Sequence, residues 1–379
     1  MNFPWTLVAI TVALNLPAAN KTTAHPLSVS ENRTTNWDPY TEGVIKNRVE
    51  RITLPFEAKY NARVRAYITD YVTTGNRQTE EILGRSVMYF PIFEHYLTIY
   101  KLPKELKYLP IVESALNPTA KSSAGAAGLW QLMPQTARQY GLKVDGAVDE
   151  RLDPYRSTEA AVRMLSNLYK EYRDWRLVLV AYNCGTGKLN QVMRTVGSKD
   201  YWELENHLPV QTRRYVPAYV AAAYVVNYQQ HHDLQPEYPA LNLRETRVLK
   251  VYQSLSFQEI ASACGLAPAT IATLNPGYRL RTVPKNAKGQ FLILPASAVV
   301  SFKEYLAGKN TARIGIKTPA NKFKSSYVVA KGDRIQVLAA LFKCSVQEIM
   351  QWNSLSEPEV FVNQELIVYL SSDVLNKRA

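Results

Sequence analysis

Apolar residues recur at every fourth position through Tyr60, Val64, Ile68 and Val72. That spacing predicts an amphipathic helix, ended by the turn Thr73-Thr74-Gly75. Residues 86 to 232 read as mainly helical. Val162, Leu165, Leu168 and Tyr169 fall on one helical face, Trp175 to Val180 opens another helix, and Ala218 to Tyr228 is an Ala-rich buried helix. Alternating strand patterns are almost absent until Gln235-Pro236-Glu237-Tyr238-Pro239, which reads as a linker. Beyond it the chain repeats itself. Ile260-Ala261, Thr270-Ile271 and Leu274-Asn275 correspond to Leu338-Ala339, Glu348-Ile349 and Trp352-Asn353 at a constant offset of 78 residues. Leu249-Lys250-Val251 matches Tyr327-Val328-Val329, and the run Gln290 to Leu294 matches Gln364 to Val368. Each copy reads as strand, helix, helix, strand. Two copies are too few for a solenoid, so beads on a string are expected, joined by the Lys-, Thr-, Ala- and Asn-rich stretch from Asn310 to Ser326.

Trp5 to Ala19 is apolar but too short to span a bilayer. With the small residues that follow, it predicts a secretory signal peptide over residues 1–24. A polar stretch runs from residue 25 to about 50. No cysteine precedes Cys184, so a lipid-modified N-terminal cysteine is not expected, and no other segment reads as transmembrane. Among 379 residues, 46% are hydrophobic, enough for packed cores in two or three domains. The net charge of +13 points to an anionic partner: nucleic acid, anionic lipid or an acidic wall polymer. No Lys/Arg run marks a nucleic-acid arm, whereas 24 Tyr and 6 Trp suit carbohydrate stacking as well as base stacking. Cys184, Cys264 and Cys344 lack metal-ligand spacing and read as small buried hydrophobes, with one disulfide between two of them as the alternative in an oxidising compartment. No metal or cofactor is expected.

Glu113 is the chemically unusual residue. It lies in Tyr108-Leu-Pro-Ile-Val-Glu113-Ser114-Ala-Leu-Asn117-Pro118, where Leu109, Ile111, Val112 and Leu116 offer to desolvate it. Asn117-Pro118 is expected to stop the helix, leaving Glu113 in the last turn, where the helix dipole disfavours an anion. A carboxyl raised in this way can protonate a glycosidic oxygen at neutral pH. Gly125-Ala-Ala-Gly128-Leu-Trp130-Gln131 offers a close backbone approach, a planar aromatic and an amide, as sugars require. Its other reading is a helix N-terminus packed by Trp130. Ala181-Tyr182-Asn183-Cys184-Gly185 ends a buried helix with two polar side chains that can face a cleft or merely cap it. Tyr215, in Arg213-Arg214-Tyr215-Val216-Pro217, reads alone as a core tyrosine.

Taken together, Glu113-Ser114, Gly128-Leu-Trp-Gln131, Ala181-Tyr182-Asn183 and Tyr215-Val-Pro217 resemble, in order and spacing, the family 1 lytic transglycosylases (SLT domain). The likeness covers about residues 50 to 235 and extends through Leu142, the run Asp149 to Asp153 and Trp175. The C-terminal repeats resemble LysM modules, the second clearly and the first in degenerate form. The resemblance implies an α+β multidomain chain: a mainly α-helical, lysozyme-like catalytic domain followed by two small βααβ LysM-like modules. The divisions expected are a signal peptide (1–24), a polar segment and helical arm (25–85), the catalytic domain (86–235), a degenerate module (244–306), a linker (307–325) and a second module (326–371). It implies that Glu113 acts as both acid and base on the bond between N-acetylmuramic acid and N-acetylglucosamine. Attack by the muramyl C6 hydroxyl then leaves 1,6-anhydro ends, and intramolecular attack removes the need for a second carboxylate. It places Ser114, Gln131, Tyr182, Asn183 and Tyr215 along the sugar groove. Peptidoglycan strands become the expected partner, nucleic acid does not, and the expected location is periplasmic and wall-associated. The chain departs from the pattern at Cys184, where Ala or Ser is usual, and at Gln211, commonly Glu. A goose-type hydrolytic muramidase would need a second carboxylate, for which Asp149, Glu150 and Asp153 are available, although that run suits turn and cap chemistry. A non-catalytic wall-binding protein is the other alternative.

Overall fold

The computed structural model describes residues 39–310, 322–330, 332–353, 355 and 357–371. The expected signal peptide, the polar stretch through residue 38 and residues 311–321 of the expected linker lie outside the described residues. The chain forms two compact units. One takes the chain through Val144 and then Glu150–Tyr238, and the other takes Asp145–Asp149 and the chain from Pro239.

The first unit is helical: α1 (Pro39–Arg51), α2 (Ala62–Val72), α3 (Asn76–Ile99), α4 (Leu109–Ser114), α5 (Pro134–Gln139), α6 (Pro154–Tyr172), α7 (Trp175–Cys184), α8 (Thr186–Val196), α9 (Tyr201–Leu204), α10 (Val210–Arg213) and α11 (Tyr215–Tyr228). Local chemistry sets several starts. The side chains of Asn61, Asp153, Asp174 and Asp200 accept from free N–H groups in the first turns of α2, α6, α7 and α9. Val64 and Ile68 of α2 are buried, as are Val162, Leu165 and Leu168 of α6. α11 is buried on every side from Tyr215 to Val225, the mark of a core helix. It packs against α2, α4 and α7 and carries Tyr215 to the site. The stretch read as a linker, Gln235–Tyr238, is laid along α3: Glu237 N donates to Glu80 O (2.9 Å) and Gln235 N to Glu80 Oε1 (2.8 Å). Gly84 permits this, because a Cβ there would stand 1.7 Å from the Glu237 carbonyl oxygen. No described helix is long and apolar enough to cross a membrane.

The second unit holds α12 (Leu241–Arg244), β1 (Thr246–Val251), β2 (Leu255–Ser256), α13 (Phe257–Cys264), α14 (Pro268–Leu274), β3 (Thr282–Val283), β4 (Gln290–Pro295) and α15 (Val299–Asn310). It continues with β5 (Lys322–Val328), α16 (Ile335–Leu341), α17 (Val346–Trp352) and β6 (Glu365–Ser371). β1 pairs antiparallel with β4, Val248 opposite Ile293, and β5 with β6, Tyr327 opposite Leu366. The repeat has a physical meaning at its asparagines. Asn275 donates to Ile271 O and Ile293 O and accepts from Ile293 N; Asn353 does the same with Ile349 O, Ile367 O and Ile367 N. One carboxamide, buried in the first copy and half-buried in the second, thus ties the second helix of each copy to its closing strand.

The α+β multidomain reading holds, but beads on a string does not. Within this unit the two copies adjoin: the rings of Phe291 and Phe361 meet edge to face at 4.5 Å, Val248 N donates to Asn363 O (3.3 Å) and Lys303 pairs with Glu365 (3.3 Å). The open edge of β1 offers N–H groups that the second copy takes up, and a flexible-looking linker composition says nothing about that. Asp145–Asp149 also enters this unit. Val148 is buried in its core beside Tyr278, Asp149 N donates to Gly277 O (2.8 Å) and Arg279 N to Ala147 O (2.9 Å).

Candidate active site

The chain tightens around Glu113. α4 is six residues long and stops before Asn117-Pro118, because Ala115 and Leu116 both adopt left-handed backbone (φ 51° and 57°). Two consecutive non-glycine residues in that region are strained, a feature that gathers at functional sites. Arg85 holds this end, donating through Nε and Nη2 to Ala115 O (3.3 and 3.1 Å). The Glu113 side chain is partly buried and accepts a hydrogen bond from the Tyr215 hydroxyl. Burial pushes its carboxyl up to about 7, and the Tyr215 hydrogen bond works in the opposite direction. Burial is the leading cause. Tyr215→Phe is therefore expected to raise the Glu113 pKa further above 7 in a side-chain carboxyl NMR titration. A lower value would contradict the hydrogen bond.

Of the other expected residues, Tyr182 and Tyr215 lie beside Glu113, and Ser114, Gln131 and Asn183 are engaged with other partners. Tyr182 is near enough for the Glu113 charge to add to the burial that raises its phenol far above the usual range. Its hydroxyl donates to Trp130 O (2.7 Å). Tyr215 is raised likewise, first by burial, so both phenols remain donors at neutral pH. Ser114 is not on the groove surface. It is 1% exposed, and its hydroxyl lies 2.9 Å from Leu129 O and 3.0 Å from Pro110 O, bracing α4 against the loop before α5. Gln131 adopts left-handed backbone (φ 45°) and its Nε2 donates to Gly128 O (2.9 Å) and Ala120 O (3.2 Å), so its amide nitrogen serves the loop. Asn183 is partly exposed, and its Oδ1 accepts from Thr212 (3.0 Å).

Two expectations for the Gly128-Leu-Trp-Gln131 run are corrected. Trp130 is fully buried, edge-on to Phe93 at 5.1 Å, and its indole N–H donates to Thr158 Oγ1 (2.9 Å), so it presents no face to a sugar. The close backbone approach at Gly128 is to the protein itself: a Cβ there would lie 1.8 Å from Arg151 O. Arg151, Arg85 and Thr212 were missed as site-building residues. Arg151 is 5% exposed and donates to Gly125 O (2.7 Å) and Leu132 O (3.1 Å), bracing the loop from both ends. An Arg or a Thr gives no sequence signal for such a role, since its partners are carbonyls set by the fold.

The carboxylates available to a hydrolytic reading are engaged elsewhere. Asp149 is fully buried and pairs with Arg279. Glu150 accepts from Lys143 N (2.6 Å) and pairs with Arg156 (3.5 Å). Asp153 caps α6, and burial pushes its carboxyl up to about 6. The three cysteines, expected to be buried, are free and only partly buried, and at Cys184 burial pushes the thiol up to about 11.

Three family descriptions match the chain. The transglycosylase SLT domain covers residues 91–205, the LysM-like domain of lytic transglycosylase MltD covers 245–310, and the LysM domain covers 327–368. Membrane-bound lytic murein transglycosylase D of Escherichia coli strain K12 is 31% identical over 280 residues, 70% of this chain and 60% of that protein. Peptidoglycan transglycosylase gp16 of Escherichia phage T7 is 36% identical over 96 residues, 25% of this chain and 7% of that one. Among solved structures, the 70 kDa soluble lytic transglycosylase SLT70 of Escherichia coli aligns at 22% identity with a TM-score of 0.35, covering 52% of this chain and 31% of that one. The chain thus spans 60% of the length of the Escherichia coli relative.

Proposed function

Since this chain carries a transglycosylase SLT domain, an MltD-type LysM-like domain and a LysM domain, we propose that it is a lytic murein transglycosylase. It cleaves the β-1,4 bond between N-acetylmuramic acid and N-acetylglucosamine, leaves 1,6-anhydromuramyl ends, and is held on peptidoglycan by its LysM modules. The observation that carries this reading is the Glu113 carboxyl, raised to about 7 and hydrogen-bonded by Tyr215. Near neutral pH it is populated in both forms, which suits a group that must first give and then take a proton.

Protonated Glu113 donates to the glycosidic oxygen as the bond to the muramyl C1 breaks, and the N-acetylglucosamine end leaves with that proton. Positive charge develops at C1 and the ring oxygen. The Glu113 carboxylate then accepts the proton of the muramyl C6 hydroxyl as that oxygen bonds to C1. The acid is restored and no water is consumed. The nucleophile is part of the substrate, so its effective concentration takes the place of a carboxylate-activated water. That fits a site where Asp149, Glu150 and Asp153 are committed to pairing and capping. Tyr215 and Tyr182 remain protonated and donate, one to Glu113 and one to the loop carrying Gln131. Asn183 and Gln131 contact the glycan. The protein acts on the wall after secretion, in the periplasm.

The test is product analysis. Sacculi digested with the full chain are expected to yield muropeptides with anhydro ends by mass spectrometry. Reducing muramic acid ends would instead identify a hydrolase, and no release at all a binding protein.

A further inference from the structure

Two chain segments build the site around Glu113: the end of α7, which carries Tyr182 and Asn183, and the run from α10 into α11, which carries Tyr215. Thr212 joins them. It is the third residue of α10, 2% exposed, and its Oγ1 stands 3.0 Å from Asn183 Oδ1, across 29 residues of sequence. A carboxamide oxygen only accepts, and a threonine hydroxyl has one proton to give. With that proton on Oδ1, the Asn183 NH2 group is turned away from Thr212. The neighbouring Cys184 thiol is directed at Gly185 O (3.7 Å), which leaves the Thr212 proton on the amide oxygen.

We propose that Thr212 is a positioning residue, whose buried hydroxyl holds the Asn183 carboxamide in the one orientation that presents its N–H groups to the glycan. The inference rests on the reading of Asn183 as a glycan contact. Without the hydroxyl, the carboxamide is free to rotate, and its donors are no longer prepaid in orientation. The contact is made to bound substrate and to the transition state alike, so its loss shows in KM rather than kcat.

The test uses full-length protein and soluble N-acetylglucosamine–N-acetylmuramic acid oligomers. Thr212→Val is expected to raise KM about tenfold with kcat within about twofold and an unchanged pH–rate profile. Thr212→Ser, which keeps the hydroxyl, is expected to restore KM to near the wild-type value. Asn183→Ala should raise KM to a similar extent, and the double variant Thr212→Val/Asn183→Ala should be no worse than Asn183→Ala alone. If valine lowers the melting temperature enough to obscure the result, Thr212→Ala removes the hydroxyl without branched bulk, with the same KM rise expected. An unchanged KM in both hydroxyl-free variants, a serine variant as poor as valine, or KM losses that multiply in the double variant would each overturn the proposal. KM can be read whichever end is formed. Reducing ends would therefore overturn the transglycosylase reading while a KM rise reversed by serine still supported Thr212.

Discussion

Glu113→Gln is expected to stop release of soluble anhydro-muropeptides, by about a thousandfold or more, while the protein still binds sacculi and becomes more stable at neutral pH. Rate and stability move in opposite directions for one reason. A general acid contributes up to about 10⁴-fold to the rate, and glutamine supplies no transferable proton. The same carboxyl is costly to the fold: burial lifts it from 4.5 to about 7. Between those values the folded protein holds the proton more tightly than the unfolded chain, so the stability contribution of Glu113 falls as pH rises through that window. Glutamine carries no charge and its oxygen can still accept from Tyr215. The variant should therefore gain on the order of 1–3 kcal/mol above pH 7 and nothing from this source below about pH 4.5. Urea unfolding at pH 4 and pH 8 measures the difference, and muropeptide release measures the rate. Undiminished release would remove Glu113 from the reaction, and equal stability at pH 8 would show that its carboxyl is not desolvated.

Trp130→Ala is expected to be among the most destabilising single substitutions in the helical unit, costing about 3–5 kcal/mol in urea or thermal unfolding. The indole is fully buried, meets Phe93 edge to face and donates to Thr158 Oγ1. Its removal leaves a cavity and withdraws the donor from a buried hydroxyl oxygen. Activity should fall with stability, because the backbone of the same loop takes the Tyr182 hydroxyl at Trp130 O and the Ser114 hydroxyl at Leu129 O. A sugar-stacking tryptophan would behave otherwise, with binding weakened and the unfolding midpoint unmoved. That result would restore the reading made from the sequence.

Helix positions along the first unit were legible because neighbours in sequence make them. Asn61 and Asp153 cap within three residues, and the apolar spacing of α2 and α6 survives as the buried faces of Val64, Ile68, Val162 and Leu165. The outer strands and paired helices of both C-terminal copies were visible in the repeat, down to Asn275 and Asn353, whose equal spacing became equal hydrogen bonding, but the short β2–β3 pair inside the first copy was not expected. Glu113 stood out because an acid among apolar residues is locally inconsistent, and such inconsistencies collect at functional sites.

Burial and partnership were not legible in this way. Whether Trp130 faced a sugar or the core depended on Phe93 and Thr158, and Ser114 was claimed by a carbonyl fifteen residues on. The Tyr215 hydroxyl that tempers Glu113 comes from 102 residues away, and the Thr212 hydroxyl on Asn183 from 29. Adjacency of the two C-terminal copies, and the entry of Asp145–Asp149 into their unit, likewise left no mark in composition. The amino-acid order alone carried the domain classes, the helices and the singling out of Glu113 as the candidate acid, because propensity, capping and periodicity are properties of near neighbours. The folded chain decided which polar groups are spent on bracing the loop and which carboxyl is desolvated, because a hydrogen bond or a desolvated carboxyl is made by residues that only folding brings together.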